Sequence, residues 1–506
     1  METLALLAHG FETALSPYGL LFTFIGILIG QIVGALPGMG PAAGMALLLP
    51  ITFGMTPTYA IMMLAGIMYG GQYGGTISSV LINVPGDAAS VMTAVDGHQL
   101  ARRGLAGKAL SVAAVGSFVA GVSAVIVLVV AAPTLSSFAL RFSSPEYFLL
   151  ATLGLTAGAS FGSDSLFKAL LVTCVGLLIA LAGTDPMVGV PRMTFGSENL
   201  IDGIGFLPVA IGLFGVAEVL ASFSNSSSEP IGSMRLRDLW PTWADWVACR
   251  MAIMRGGIIG FFIGVMPGAG APIASLLAYF TERRFSKHPE MFGKGALDAV
   301  AAAESANNAS SHGGFIPMLA LGIPGGPGTA VLMGALIMVG IQPGPSLMTD
   351  QSVLVWSLIA SMFTGNVMLL ILNLPLAPIF ASLLRVPYVY LAPAILVISL
   401  VGAYAQTLDM FTFVEAVFFG VVGYFMIRMR FPRAPLILAM VLAPIMETSL
   451  RQSLMFSQGS LLIFVERPIS AVLLFAVLFS LFGPLLMSLR RRWRGRRFDP
   501  KAEGAL

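Results

Sequence analysis

An apolar region near the start of the chain contains a segment that a continuous helix cannot accommodate. Residues 34–50 read GALPGMGPAAGMALLLP, which places two prolines and two glycines between Pro37 and Pro41. Proline has no backbone N–H and glycine does not restrict φ, so the helix is predicted to break here. Unwound backbone inside a bilayer is tolerated only where protein buries it or where it lines a cavity. We therefore expect half of an anion-binding site here, with Pro41 beginning a half-helix whose free N–H groups point back at the break.

The same interruption recurs in the second half of the chain. Residues 26–40 read GILIGQIVGALPGMG, and residues 256–270 read GGIIGFFIGVMPGAG. A second pair of motifs follows, in which the YGG and VPG of 73–86 correspond to the HGG and IPG of 312–325. Paired interruptions in corresponding halves of a chain point to a transporter site. The pattern predicts two internal repeats, which we expect to be inverted. The basic loop that follows the first copy and the one inside the second copy would favour parallel copies if both loops are cytoplasmic.

The composition indicates that these breaks lie in a protein that spans a membrane. The chain of 506 residues is 57% hydrophobic and 10% charged, whereas soluble proteins carry roughly 25% charged residues. At about 20 apolar residues per span, we predict an all-α polytopic membrane protein with about 10–12 transmembrane helices plus broken or re-entrant half-helices. The two cysteines indicate neither a disulfide framework nor a metal site, and no metal is expected.

Polar stretches divide this apolar chain into four predicted parts. The first repeat half covers 1–222, a polar and tryptophan-bearing linker covers 223–250, the second half with its trailing spans covers 251–489, and a basic tail covers 490–506. The DGHQLARRGLAGK stretch at 96–108 is predicted to be a polar loop. Six arginines in the tail predict a cytoplasmic C-terminus that contacts lipid headgroups and no nucleic acid.

Charged side chains are almost absent around the predicted breaks. No Lys or Arg lies between Gln31 and Gly97, and His312 is the only ionisable side chain from Ser305 to Thr349. An anion bound here must be held by backbone N–H groups, helix dipoles and neutral donors. In the alternative interpretation, the polar side chains only cap or cross-link helices and bind no ligand. The predicted substrate-binding residues are Pro37, Gly38, Gly40, Asn83, Pro85, Gly86, Ser90, Pro267, Gly268, Gly270, Asn307, Asn308, Pro324, Gly325 and Thr329.

Two acidic residues are candidates for binding a coupling ion, Na⁺ or H⁺. Ionisable groups at membrane depth are rare and often functional, which favours Asp87 and Glu304. Asp87 has an alternative interpretation as the N-cap of the next half-helix, because Asp is a strong N-cap residue. Glu218 and Glu415, in apolar spans, are weaker candidates, as is His312 for proton transfer.

At these motifs the sequence closely resembles the large membrane subunit of the tripartite tricarboxylate transporters. The resemblance covers the chain from about Gly19 to past Pro444. The motifs that carry it are GALPGMGPAAGMALLLP, YGGTISSVLINVPG, PGAGAPIASLLAY and AESANNASSHGGFIPMLALGIPG. Asp87 and Ser311-His312 stand where the family more often has small neutral residues, which leaves the particular carboxylate and the coupling ion open.

The resemblance implies a function and an assembly. We expect ion-gradient-driven uptake (symport) of citrate or a related carboxylate across a bacterial inner membrane. A small membrane subunit and a periplasmic solute-binding protein would complete the complex. ATP is not implied, and the chain has no Gly-x-x-x-x-Gly-Lys-Ser/Thr phosphate loop.

Two other classes of function remain open from the sequence. A carboxylate channel or uniporter without ion coupling would need a continuous polar lining or charged rings, whereas the polarity here is clustered. An intramembrane enzyme could use Ser160 and His312 as nucleophile and base, but the repeats do not explain that pairing. We therefore predict that the chain is not an enzyme.

Overall fold

Helices make up nearly all of the computed structural model. It describes residues 2–36, 40–139, 141–161, 165–222, 242–268, 270–374 and 409–496, with short stretches between 376 and 404. The helices of the first half are α1 (Glu2–Ala14), α2 (Pro17–Ala35), α3 (Pro41–Leu48), α4 (Pro57–Ile82), α5 (Val91–Arg102), α6 (Ala106–Ala139), α7 (Ser144–Phe161), α8 (Leu166–Ala180), α9 (Phe206–Ala210) and α10 (Ala217–Ser222), the last two joined by the π-helical segment Ile211–Val216. Strands β1 (Gly183–Thr184) and β2 (Pro191–Arg192) form a short antiparallel pair between α8 and α9.

The second half continues the helical pattern. Its helices are α11 (Trp243–Val265), α12 (Gly270–Phe285), α13 (Leu297–Gly313), α14 (Phe315–Leu321), α15 (Pro327–Met338), α16 (Leu347–Asp350) and α17 (Ser352–Asn373), followed by Met410–Arg428, Ala434–Phe456, Ile463–Glu466 and Pro468–Arg496. Six described helices are long and apolar enough to cross a membrane, and five shorter apolar helices accompany them. The predicted all-α polytopic class is confirmed.

The two Pro-Gly-x-Gly segments interrupt helices as the sequence predicts. Helix α2 ends at Ala35, and α3 begins at Pro41 after extended backbone at Gly40. Pro37 and Gly38 lie outside the described residues. Helix α11 ends at Val265, and both Gly268 and Gly270 have positive φ, of 76° and 68°. Positive φ is unfavourable for residues with a Cβ, so these glycines permit the sharp change of direction into α12.

The second pair of motifs also ends helices. Helix α4 stops at Ile82, and Asn83 adopts the left-handed conformation with φ 57°. Helix α14 stops at Leu321, and Gly322 adopts the same conformation with φ 69°. A left-handed residue at this position is a common way to end a helix. The extended segments that follow lead to the 3₁₀ turn Ala88–Ser90 before α5 and to α15.

Two helix pairs pack backbone to backbone through glycines spaced four residues apart. A Cβ added at any of these glycines would overlap a backbone carbonyl of the partner helix, so only glycine allows the approach. On α2 the glycines are Gly26, Gly30 and Gly34, and they face the carbonyls of Met63, Ile67 and Gly71 in α4. On α11 they are Gly256, Gly260 and Gly264, and they face the carbonyls of Ala302, Ala306 and Ser310 in α13. The two pairs therefore have the same contacts at corresponding positions.

The predicted polar loop at 96–108 is wrong except at residues 103–105. Residues up to Arg102 belong to α5, and α6 begins at Ala106. The carboxylate of Asp96 is buried and accepts hydrogen bonds from the backbone N–H groups of Gly295 and Ala296 at 2.7 and 2.8 Å and from the Tyr279 hydroxyl at 2.8 Å. These partners satisfy a charge that the sequence alone assigns to solvent.

The predicted linker and tail lie only partly within the described chain. Residues 223–241 of the linker are outside it, and the remainder begins α11, whose first turn is capped by Thr242. The last helix continues to Arg496, so it includes the first part of the predicted basic tail, and 497–506 lie outside the described residues.

Candidate functional site

A cavity of about 240 Å³ lies where the interrupted segments come together. Its wall includes residues 40–43, 87–88, 270–272 and 325–329, one stretch from each of the four interruptions. The remaining described lining residues are Met68, Gln72, Phe214, Ser310, Ser311, Gly314, Arg433 and Ala434. Breaks that are far apart in sequence therefore border one space.

Three helix N-termini contribute to this wall. Helices α3, α12 and α15 begin at Pro41, Gly270 and Pro327, and all three residues line the cavity. The N-cap residues of α3 and α15 are Gly40 and Gly326, which have no side chain to accept an N–H of the first turn. The first N–H groups of a helix have no intrahelical partner and carry the positive end of its dipole. The arrangement can therefore stabilise an anion with little help from charged side chains.

The two breaks of each half contact one another. A Cβ added at Gly40 would lie 3.0 Å from Cβ of Asp87, and one added at Gly326 would lie 3.5 Å from Cα of Gly270. The two breaks of each half therefore meet beside the cavity.

Two polar side chains in the wall have buried atoms without a hydrogen-bond partner among the described residues. They are Ser310, through its hydroxyl, and Gln72, through one amide atom, and the two side chains are 2% and 4% exposed. The other amide atom of Gln72 bonds to the hydroxyl of Ser311. Leaving a buried polar group unpaired costs about 1–3 kcal/mol. The Ser310 hydroxyl can donate to an anion, whereas the unpaired atom of Gln72 is its Oε1, which only accepts hydrogen bonds.

Some of the predicted site residues line the cavity. They are Gly40, Gly270, Gly325 and Thr329, together with Asp87. Asp87 also forms the cap that the sequence offered as its alternative role, because its Oδ1 accepts the backbone N–H of Ser90 at 3.0 Å. Thr329, in the first turn of α15, has the position that corresponds to Ser90, and its hydroxyl accepts the N–H of Gly326 at 2.9 Å.

Other predicted residues lie elsewhere. Asn83 is exposed at the end of α4, whereas Asn307 and Asn308 are fully buried within α13. Asn308 donates through Nδ2 to the hydroxyl of Ser117 at 2.7 Å, which ties α13 to α6. Residues near the breaks that do not themselves line the cavity are Pro85, Gly86, Ser90, Pro267, Gly268 and Pro324.

Glu304 forms a separate buried cluster. Its side chain in α13 is 1% exposed. Its Oε2 accepts the hydroxyl of Thr76 in α4 at 2.7 Å, and its Oε1 accepts that of Thr93 in α5. No basic side chain pairs with it among the described residues. The cluster connects α13 to the two helices on either side of the break at 83–87.

The sequence reasoning missed Arg433, the only Lys or Arg among the described residues of the cavity wall. Its guanidinium lies 2.9 Å from Oε2 of Glu218. In the sequence, Arg433 follows Arg428 and Arg430, and such a cluster of arginines is typical of a solvent-exposed loop. The signal that could have found it is Glu218, because an acidic side chain in an apolar span calls for a cationic partner.

Comparisons with known proteins agree with the resemblance seen in the motifs. The chain matches the family described as tripartite tricarboxylate transporter TctA over residues 20–438. It is 44% identical over 492 residues to an uncharacterized 52.8 kDa protein in the TAR-I ttuC' 3' region of Agrobacterium vitis, covering 97% of this chain and 98% of that protein. It is also 42% identical over 233 residues to an uncharacterized protein in the TAR-II ttuC' 3' region of the same organism, covering 46% of this chain and 96% of that protein. No solved structure matches the chain.

The family match spans most of the chain, and it includes all four interruptions and Arg433. A polytopic helical fold agrees with a membrane component of a transporter. This protein belongs to the tripartite tricarboxylate transporter TctA family.

Proposed function

We propose that this chain is the permease subunit of a binding-protein-dependent secondary active transporter that imports tricarboxylates or related carboxylates. The observation that carries the proposal is the cavity with three helix N-termini and the unpaired hydroxyl of Ser310. Helix N-termini favour anions, and membership of the family favours a carboxylate among them. Neutral donors also suit a transporter, because cargo held this way can be released.

The proposed coupling site is Glu304, with Na⁺ or H⁺ as the coupling ion. A buried carboxylate without a basic partner is stable when it is protonated or binds a cation. Its bonds to Thr76 and Thr93 reach the helices that lead into and out of the break at 83–87. Ion binding would therefore act on the backbone beside the cavity. Asp87, which caps the turn after this break, is the second candidate for ion binding.

The proposed assembly follows the family. A small membrane subunit and a periplasmic solute-binding protein act with this chain in a bacterial inner membrane, with its C-terminus in the cytoplasm. The corresponding contacts of α2 with α4 and of α11 with α13 support two internal repeats. Alternating access by movement of one part against the other fits repeats that share a central site.

The test is reconstitution of the whole complex in proteoliposomes with citrate and a panel of other carboxylates. Uptake is measured under a Na⁺ gradient and, separately, under a proton gradient. We expect saturable uptake that requires the binding protein and stops when one of the gradients is collapsed. Flux that depends on neither gradient would support the alternative of a carboxylate channel or uniporter and would overturn the coupling.

A matched pair of serines on α13 tests the cavity itself. Ser310→Ala removes a hydroxyl that lines the cavity, and we expect citrate binding to weaken about 5- to 10-fold for one lost hydrogen bond. Ser305 is fully buried on the same helix but does not line the cavity, so Ser305→Ala should leave binding unchanged. Equal effects of the two substitutions would place the substrate elsewhere.

A further inference from the structure

The cavity wall contains a guanidinium group whose donors are only partly used. The side chain of Arg433 is 19% exposed and precedes the helix Ala434–Phe456. One of its terminal nitrogens, Nη1, donates to the carbonyl of Leu213 at 2.8 Å, and the other, Nη2, pairs with Glu218. A guanidinium has five N–H donors. Those not used in these two bonds have no partner among the described residues and remain for a ligand.

The position of Arg433 is fixed by the π-helical segment Ile211–Val216. A π-helical turn displaces the backbone hydrogen bonds of the surrounding helix, and here the carbonyl of Leu213 accepts a bond from Arg433 instead. The guanidinium carbon also lies 5.4 Å from the ring centre of Phe214, another residue of the cavity wall. The side chain is therefore held by an acid, a carbonyl and an aromatic ring.

We propose that Arg433 binds one carboxylate of the substrate and thereby selects for substrates with more than one carboxylate. This inference rests on the proposed function. A guanidinium matches the two oxygens of a carboxylate in a planar, bidentate geometry. A second carboxylate on the same molecule reaches the helix N-termini of the cavity, whereas a monocarboxylate satisfies only one of the two sites.

Glu218 has a defined part in this proposal. An arginine this poorly exposed is costly without a counter-charge, and Glu218 supplies one when no substrate is bound. When a substrate carboxylate binds, the guanidinium is shared between the two acids, which limits the affinity and allows release. Glu218→Gln should therefore tighten citrate binding several-fold and slow its release.

The test compares substitutions of Arg433 with those of a matched arginine in the complete complex. Binding of citrate, succinate and butyrate is measured as tri-, di- and monocarboxylate probes. For Arg433→Gln we expect citrate and succinate to bind at least about 30-fold more weakly, as for loss of one member of a buried charge pair, with butyrate changed much less. Arg433→Lys should be intermediate, because it keeps the charge and loses the bidentate geometry.

Arg255 provides the control, since it pairs with Glu282 at 2.7 Å but lies away from the cavity. Arg255→Gln should leave the citrate-to-butyrate affinity ratio unchanged. If Arg433→Gln alone destabilises the protein, the double variant Arg433→Gln/Glu218→Gln removes both charges and should show the same loss of selectivity.

Two results would overturn the inference. An unchanged affinity ratio in the Arg433 variants, with citrate binding still weakened by Ser310→Ala, would overturn the role of Arg433 and leave the proposed function intact. Unchanged binding in both the Arg433 and the Ser310 variants would overturn the proposed site as well.

Discussion

Residues 26–90 and 256–329 share a backbone arrangement but differ in side chains. In the first segment, Gly86 approaches the carbonyl of Gly34 and the Cα of Gly75. In the second, Gly325 approaches the carbonyl of Gly264 and the Cα of Gly314, the corresponding residues. The break geometry is thus repeated in the two segments.

The side chains on this common backbone are different. In the first segment, Asp87 caps the turn Ala88–Ser90. The corresponding N-cap residue in the second segment is Gly326. Glu304 in α13 corresponds to Ala65 in α4 at the spacing set by the two motifs. Under the proposed function, the shared backbone would form the substrate cavity, and ion coupling would depend on an acid that only one segment has.

The largest expected effect comes from the glycines that join the helix pairs. A Cβ at Gly30 or at Gly260 would overlap the backbone of the facing helix, so Gly30→Ala and Gly260→Ala should each lower the free energy of unfolding by about 1–3 kcal/mol. Thermal unfolding in detergent measures this. Gly257→Ala is the control, because its Cβ would make an ordinary contact of 3.4 Å with Ala120. A large loss of stability from only one of the two substitutions would show that the two helix pairs are not equivalent.

The next largest effect is expected on gradient-driven citrate accumulation when Glu304 is substituted. Glu304→Gln can keep a hydrogen bond to each of Thr76 and Thr93, one of them with the threonine as acceptor. Its side chain cannot change charge, so we expect gradient-driven citrate accumulation to be lost. Counterflow exchange of citrate without a gradient should persist. The control is Glu198→Gln, in the exposed loop after β2. Accumulation like that of the unsubstituted protein would remove Glu304 from coupling.

A smaller effect is expected at Asp87. Asp87→Asn keeps a side-chain cap for the turn, so stability should change by less than about 1 kcal/mol. If Asp87 serves as a cap, the ion-to-substrate ratio measured by reversal potential also stays the same. A changed ratio would show instead that both acids bind the coupling ion.

The smallest effect lies outside both segments, in the loop that carries β1 and β2. Backbone N–H groups, first that of Met187, and the neighbouring Arg451 hold the pKa of Asp185 below its usual range. Since the folded pKa is lowered, the stabilisation is present above about pH 4, the ordinary value for Asp, and is lost as the pH falls through the folded pKa. Asp185→Asn should lower the unfolding temperature at pH 7, and this difference should shrink as the pH falls below about 4. It should leave carboxylate selectivity unchanged. A selectivity change would mean that the loop affects the cavity.

The breaks and their pairing could be predicted from the sequence because they depend on Pro and Gly, whose backbone effects are local. Gly40, Gly270 and Gly325 therefore line the cavity as the motifs suggest. Arg433 could not be placed, because its role depends on a contact with Glu218 more than 200 residues away. Asp96 was assigned to a loop for the same reason, since its partners belong to the other half of the chain.

The role of the asparagines was the weakest sequence inference. Amide side chains can bind a ligand or cross-link helices, and only three-dimensional contacts separate the two. Asn308 bonds to Ser117 in a neighbouring helix, and Asn83 ends α4 in a left-handed conformation. Their assignment to substrate binding stays a prediction.

An experimental structure of the complex with bound citrate would locate the substrate. We expect citrate between residues 40–43, 270–272 and 325–329, with carboxylate oxygens within hydrogen-bond distance of the first N–H groups of α3, α12 or α15. Citrate bound outside this cavity, or uninterrupted helices through the four Pro-Gly points, would contradict it.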